Sequence, residues 1–114
     1  MALPDAIRTQ VSEILAPYCA LRCPAKFKDK VRLGFKFRGN SVTLFEERPA
    51  FTRPDIWLDI VVAQFRFDPK SKLWTLYWAD RNSRRLRYWD LDSRKDFLEL
   101  LAEVEADPSG AFWG

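Results

Sequence analysis

The sequence predicts an α+β fold in which an N-terminal helix, a five-stranded antiparallel meander sheet and a C-terminal helix follow one another. Three observations predict it. Helical periodicity is confined to the two ends of the chain, apolar and polar residues alternate between them, and short turn signals separate the alternating runs. With 114 residues, 47% of them hydrophobic, the chain suffices for one core and falls short of two ordinary domains, so residues 1–114 are expected to form a single domain.

Pro4 suits a first helical position, and Ile7, Val11, Ile14, Leu15 and Tyr18 recur along one face of the helix it would open. That helix is expected to end near Pro17. A loop should follow over residues 19–29, because Pro24 interrupts it and the soluble run Lys26-Phe-Lys-Asp-Lys30 continues it. From Val31 to Arg38 apolar and polar residues alternate without a break, as in a strand with one buried face. Gly39-Asn40 is a two-residue hairpin turn, and Ser41–Arg48 is the return strand. This turn sets Phe37 opposite Val42, Phe35 opposite Leu44, Arg32 opposite Glu47, and Gly34 opposite Phe45, whose ring can cover the glycine backbone.

Pro49 and Pro54 bracket an irregular connection that holds Phe51, Arg53 and Trp57. A second hairpin, Asp59–Phe67 with Lys72–Asp80, turns at Asp68-Pro-Lys-Ser71 and should place Phe65 opposite Trp74, Ala63 opposite Leu76 and Val61 opposite Trp78 on a core face. Trp74, Trp78 and Phe65 are then expected to be fully buried. Arg85–Asp90 makes a fifth strand. Ser93 is expected to cap the last helix in a capping-box arrangement with Asp96, and Phe97, Leu98, Leu101 and Val104 line that helix before Asp107-Pro108 stops it. Phe112 and Trp113 in the tail should fold back, since leaving both rings in water is costly.

Composition narrows the chemistry. The chain has no histidine, which removes the usual general base near neutral pH and every Ser-His or Cys-His nucleophile. Cys19 and Cys23 stand four apart with no histidine to complete a zinc set, so they read as reduced packing residues and no metal or cofactor is expected. No apolar run is long enough for a membrane span and no signal-peptide layout opens the chain, so a cytoplasmic location is expected. Charge is segregated. Residues 1–95 carry all 19 basic residues against 11 acidic ones, and the remaining acids, Asp96, Glu99, Glu103, Glu105 and Asp107, gather on the last helix and its end.

Arg48-Pro49 with its Pro-broken loop, Ala63 in the third strand, Trp74-Thr-Leu-Tyr-Trp78, Tyr88 and a Phe-Trp-Gly tail after Asp107-Pro108 resemble the small bacterial proteins grouped as domain of unknown function 3024. The resemblance runs over nearly the whole chain. It implies a bacterial cytoplasmic single domain and, the family having no established activity, carries over no catalytic residue. The family's pattern has a cysteine in the tail where this chain has Ala111, so no role for that thiol transfers.

Three functional readings stay open. Arg32, Lys36, Arg38, Arg66, Arg85 and Arg87 gather with Gln64, Thr75 and Tyr77 on the outer sheet face, where cations can track phosphates and a ring can stack on a base of a nucleic acid. Ile60, Val62 and Leu73 on the same face form an apolar patch that a partner protein or a second copy would cover. This interaction reading is preferred, as it demands least. A ligand pocket would instead draw on Glu46, set on the buried side opposite Leu33, with Arg48, Asp80 and Tyr88 near it. An enzyme is not expected, since no residue set fixes a reaction.

Overall fold

Residues 3–23 and 30–113 are described by a computed structural model of the chain. Helix α1 spans Asp5–Arg22, strands β1 Arg32–Arg38, β2 Ser41–Pro49, β3 Trp57–Asp68, β4 Leu73–Ala79 and β5 Arg85–Arg87 follow, and helix α2 spans Phe97–Ala106. The strands form one antiparallel sheet in the order of the sequence, β1-β2-β3-β4-β5. The α+β meander expected from the sequence is the observed architecture. Both helices lie on one face, α1 packed near β1 and α2 against β4.

Helix α1 does not stop at Pro17. It runs to Arg22 with Pro17 inside it, on the exposed side, where the Glu13 carbonyl that loses its N–H partner is left to water. What carries the helix past the proline is its buried stripe, since Val11 and Leu15 continue into Cys19, and the Cys23 amide closes the end on the Cys19 carbonyl at 2.9 Å. Residues 19–22, expected in a loop, are therefore helical, while the loop expected over 24–29 falls outside the described residues.

The first hairpin has the register that its turn dictates, from Arg38 opposite Ser41 through Arg32 opposite Glu47. Gly39 takes a left-handed φ of 57°, which a type II′ hairpin requires at its first central position. Gly34 is needed for another reason. A Cβ there would lie 3.2 Å from the Phe45 ring, which covers the glycine as expected.

From Ala63 onward the second hairpin keeps its faces but not its pairs. Trp74 stands opposite Phe67 and Leu76 opposite Phe65, two residues displaced from the expected register, and the paired ladder stops at Gln64 opposite Tyr77. The cause lies in the turn. The Asp68 carboxylate accepts hydrogen bonds from the Lys70 amide and the Ser71 hydroxyl, and Lys72 enters the left-handed region at φ 63° so that its amide reaches the Asp68 carbonyl at 2.8 Å. Residues 69–72 thus form the loop and Asp68 joins the strand.

Strand β3 also begins earlier than expected. Trp57 opposes Pro49 and Leu58 opposes Arg48, which leaves residues 50–56 as the connection. Between Leu44 and Phe45 the β2–β3 register shifts, with Ala63 opposite Leu44 but Val61 opposite Phe45. Val62 is the extra residue of a β-bulge, and it is only 1% exposed. The bulge corrects three expectations. Val62 belongs to the core instead of an outer patch, Ile60 is turned to the helix side with Leu58, and Val61, expected on the core face opposite Trp78, stands opposite Phe45 on the outer face, because every side chain before a bulge changes face.

Strand β5 is shorter than the expected Arg85–Asp90. It ends at Arg87, after which the Tyr88 amide donates to Leu76 and the chain turns at Trp89-Asp90. Arg94 then returns to β4 and exchanges two backbone hydrogen bonds with Trp74, at 2.7 and 2.9 Å. That bridge holds residues near 94 extended, so Ser93 is not the cap. Its hydroxyl pairs with the Thr75 hydroxyl at 2.6 Å, and Asp96 caps α2 by accepting from the Leu98 amide.

The core lies between sheet and helices and includes Val11, Leu15, Leu44, Phe65, Leu76, Tyr88, Leu100 and Val104. Phe97 anchors α2 to it, with ring centroids 4.7 Å from Phe65 and 5.0 Å from Trp74. Trp78 departs from expectation in being only half-buried at the rim, edge-on to the exposed Trp89. Phe112 and Trp113 do fold back. Asp107, left-handed at φ 44°, ends α2 and accepts the amides of both residues on its carboxylate, and the Trp113 indole N–H donates to the Val104 carbonyl at 3.0 Å. On the other side of that indole, Arg22 of α1 stacks 3.7 Å above the ring and pairs with Glu105 of α2.

Candidate functional sites

Neither helix covers the outer face of the sheet. One rung across it reads Lys36, Thr43, Gln64, Tyr77, Arg87, and the next reads Arg38, Ser41, Arg66, Thr75. The structure therefore brings Lys36, Arg38, Arg66, Tyr77 and Arg87 onto one surface, with Arg32 and Arg85 at its ends. Its middle is internally bonded. Gln64 donates to the Thr43 hydroxyl at 3.1 Å and accepts from the Arg66 guanidinium at 2.8 Å. Each large ring on this face is capped by a cation, Tyr77 by Arg66 at 3.8 Å, Trp57 by Arg32 at 3.9 Å and Phe45 by Lys36 at 5.0 Å. A base could stack on Tyr77 only after Arg66 had moved.

The turn between β4 and β5 is organised by Asp80, whose carboxylate accepts from the amides of Asn82 and Arg84 at 2.9 Å and from the Arg84 side chain at 2.7 Å. The Arg84 amide, helped by the guanidinium, holds the Asp80 carboxyl below the usual carboxylate range. Asp80 is thus a turn residue, committed to its own loop.

Of the four residues expected to share a pocket, Glu46 and Arg48 meet directly. The Arg48 guanidinium donates to Glu46 at 2.9 Å, the Glu46 side chain is 18% exposed, and both line a small cavity of about 200 Å³ with Arg22, Leu33 and Trp113. Tyr88 is elsewhere, buried under α2 with its hydroxyl donating to Glu103 at 2.9 Å. Its amide donates a hydrogen bond to the Leu76 carbonyl at 2.9 Å, and its ring is turned inward. Glu46 also borders a larger cleft of about 450 Å³, where β3 and β4 part beyond their last pair, together with Asp59, Ile60, Asp80, Arg81 and the tail residues Phe112 and Trp113. Its acids already have basic partners, Glu46 with Arg48, Asp59 with Lys36 and Asp80 with Arg84. No group of three or more potential metal ligands occurs among the described residues, and no described helix is long and apolar enough to cross a membrane.

Sequence reasoning put Ile60 in an exposed apolar patch, but on the outer face with Val62 and Leu73 instead of on the helix side with Leu58. Past the bulge, on the helix side of the sheet but beyond the helices, Leu58 is 51% and Ile60 46% exposed, and Phe51 at the adjoining loop is fully exposed. The bulge turns Leu58 and Ile60, which share a face as alternate residues, to the helix side, and the apolar run Ile60-Val-Val-Ala63 hides where the strand gains its extra residue.

Cys19 and Cys23 are unpaired. Burial first, and Cys23 second, push the Cys19 thiol up to about 11 from 9.0. Between those values the folded protein holds a proton that the unfolded chain has released, so this group's contribution to stability is present below pH 9.0 and lost as pH rises through about 11. Tyr18 acts in the same direction, its hydroxyl buried near the Glu105 carboxylate without meeting hydrogen-bond geometry, and burial is the main cause of its raised pKa. Cys19 is expected to react with an aromatic disulfide reagent near neutral pH only on unfolding. Modification of Cys19 in the native protein at the rate of the denatured chain would contradict its burial.

Residues 3–114 match the model of the family described as Domain of unknown function (DUF3024). No curated protein and no solved structure matches the chain.

Proposed function

Because the chain belongs to the Domain of unknown function (DUF3024) family, whose description assigns no activity, we propose from its own surface that it is a protein-interaction module that self-associates through the flank of the β2–β3 hairpin. The observation that carries this reading is the exposed apolar pair on one strand face, Leu58 and Ile60, with the fully exposed Phe51 in the preceding connection. Charge supports a second copy as the occupant. Arg48 stands opposite Leu58 and Glu46 opposite Ile60, so the two apolar side chains are bordered by one cation and one anion. A twofold axis through such a patch sets Arg48 of one copy against Glu46 of the other. The reading includes no catalytic step and no cofactor. It places the protein in the bacterial cytoplasm, where a reducing milieu keeps Cys19 and Cys23 as the free thiols they are.

A nucleic-acid role for the outer face is the weaker reading, because Arg66, Arg32 and Lys36 already occupy the rings that bases would use.

Sedimentation velocity over a range of concentrations tests the proposal. The wild-type protein is expected to pass from monomer to dimer, and Ile60→Glu to remain monomeric while staying folded, its new carboxylate costing about 0.2–1 kcal/mol opposite Glu46. A wild-type protein that stays monomeric at millimolar concentration, or an Ile60→Glu protein that dimerises equally well, would overturn it.

A further inference from the structure

A second surface lies along the β1 edge of the sheet, with β2 between it and the β3 side of the flank. Strand β1 is an edge strand, paired only with β2. In a hairpin with a two-residue turn the flanking residues, Arg38 and Ser41, form a hydrogen-bonded pair, and such pairs recur at every second position. Arg32, Gly34, Lys36 and Arg38 therefore spend their amides and carbonyls on β2. Leu33, Phe35 and Phe37 point theirs outward, and among the described residues no backbone group meets them. The far end of this edge is closed, since the Leu3 amide donates to the Gly39 carbonyl at 3.1 Å.

Beside the edge runs a groove of about 760 Å³. Its walls are the exposed side of α1, including Arg8, Thr9, Ser12, Glu13 and Ala16, and the Phe37 ring, above which Arg8 sits at 5.0 Å. A strand edge with a helix alongside is the arrangement that lets an extended peptide add as a further strand, its backbone paired with the edge and alternate side chains dropping into the groove.

Charge decides between a second copy and a different partner. Antiparallel pairing of β1 with itself, centred on Gly34, Phe35 or Lys36, sets Arg32 opposite Lys36, Arg32 opposite Arg38, or Lys36 opposite its own copy. Like charges directly opposite are unfavourable in every case, and a lysine on an edge is a common guard against self-pairing. The same cations favour acids. We propose that the β1 edge takes an extended segment of another protein that alternates acidic with apolar residues, the acids meeting Lys36 and Arg38 on the outer face and the apolar side chains entering the groove beside Phe37. This site is separate from the β2–β3 flank, and either can fail alone.

The test uses the full chain carrying Ile60→Glu, so that dimerisation through the flank does not intrude. The probes are a short fluorescein-labelled peptide alternating glutamate and valine, the same peptide N-methylated at alternate amides, and one alternating lysine and valine. Fluorescence anisotropy is expected to show the glutamate peptide binding about tenfold or more tightly than the lysine peptide, and Lys36→Glu combined with Arg38→Glu to reverse that order. N-methylation should abolish binding, and amide exchange at Leu33, Phe35 and Phe37 should slow only when the unmodified peptide is present. Equal binding of the N-methylated peptide, binding without protection of those three amides, or no binding at millimolar peptide would overturn the proposal. So would protection that appears with protein concentration alone, which would make a second copy the occupant.

Discussion

Replacing Phe65 by Ala is expected to cost about 3–5 kcal/mol of folding stability, and Trp74→Ala a similar amount, the range for large rings removed from a packed core. Phe65 is fully buried and Trp74 nearly so. Both rings converge on Phe97, and Trp74 also packs on Phe67 at 5.0 Å. Losing either leaves a cavity where β3, β4 and α2 meet. Trp78→Ala should cost less, because its ring sits at the rim with one side toward solvent. Urea denaturation of the three variants checks this ordering. A Trp78 variant as destabilised as the Phe65 variant would show that the rim is part of the core.

The second large effect is expected at Asp107. Its carboxylate receives the Phe112 amide at 3.1 Å and the Trp113 amide at 2.8 Å, while its backbone holds the left-handed φ that stops α2. Asp107→Ala removes both acceptors and leaves a residue that tolerates φ 44° poorly. A loss of about 2–4 kcal/mol follows from two hydrogen bonds to a charged group. Asn at the same position keeps one carbonyl acceptor and adopts the left-handed region more readily, so it should recover part of the loss. Gly would relieve the backbone and recover none of the hydrogen bonding. Denaturation together with amide exchange at Phe112 and Trp113 separates these cases. If Asp107→Gly matched the wild type, the carboxylate would have no anchoring role.

What was legible in the sequence is what short-range geometry fixes. Gly39-Asn40 leaves the first hairpin a single register, and every pair from Arg32 to Ser41 follows from it. The longer turn after Asp68 does not, because whether Asp68 ends the strand or begins the loop depends on Lys72 taking a positive φ, which lysine seldom signals. Faces survived that error since a displacement of two residues preserves the alternation. They did not survive the bulge, where three consecutive apolar residues, Val61, Val62 and Ala63, look alike on either face. Pro17 and Ser93 misled for a shared reason. Each is a good local signal that a distant contact overrides, the buried Cys19 stripe in one case and the Trp74–Arg94 bridge in the other. The candidate sites fared accordingly. The basic outer face could be assembled from alternation alone, whereas the apolar flank depends on the bulge and Tyr88 on a backbone bond that no motif announces.

The pairing of Arg22 with Glu105 and Trp113 also sets the order in which the molecule can fold. Every strand in the sheet neighbours its predecessor in the chain, so the meander can zip from one hairpin to the next across short loops, a topology of low contact order that favours rapid formation. The Arg22–Glu105 contact closes a separation of 83 residues, and its loop entropy is affordable only once the hairpins have shortened the path between the ends. The sheet is then the early-forming part, and docking of the two termini against each other is the late step. On a growing chain that step is expected to wait until α2 and Trp113 have emerged, and until then the hydrophobic face of the sheet would be open to aggregation or to a chaperone.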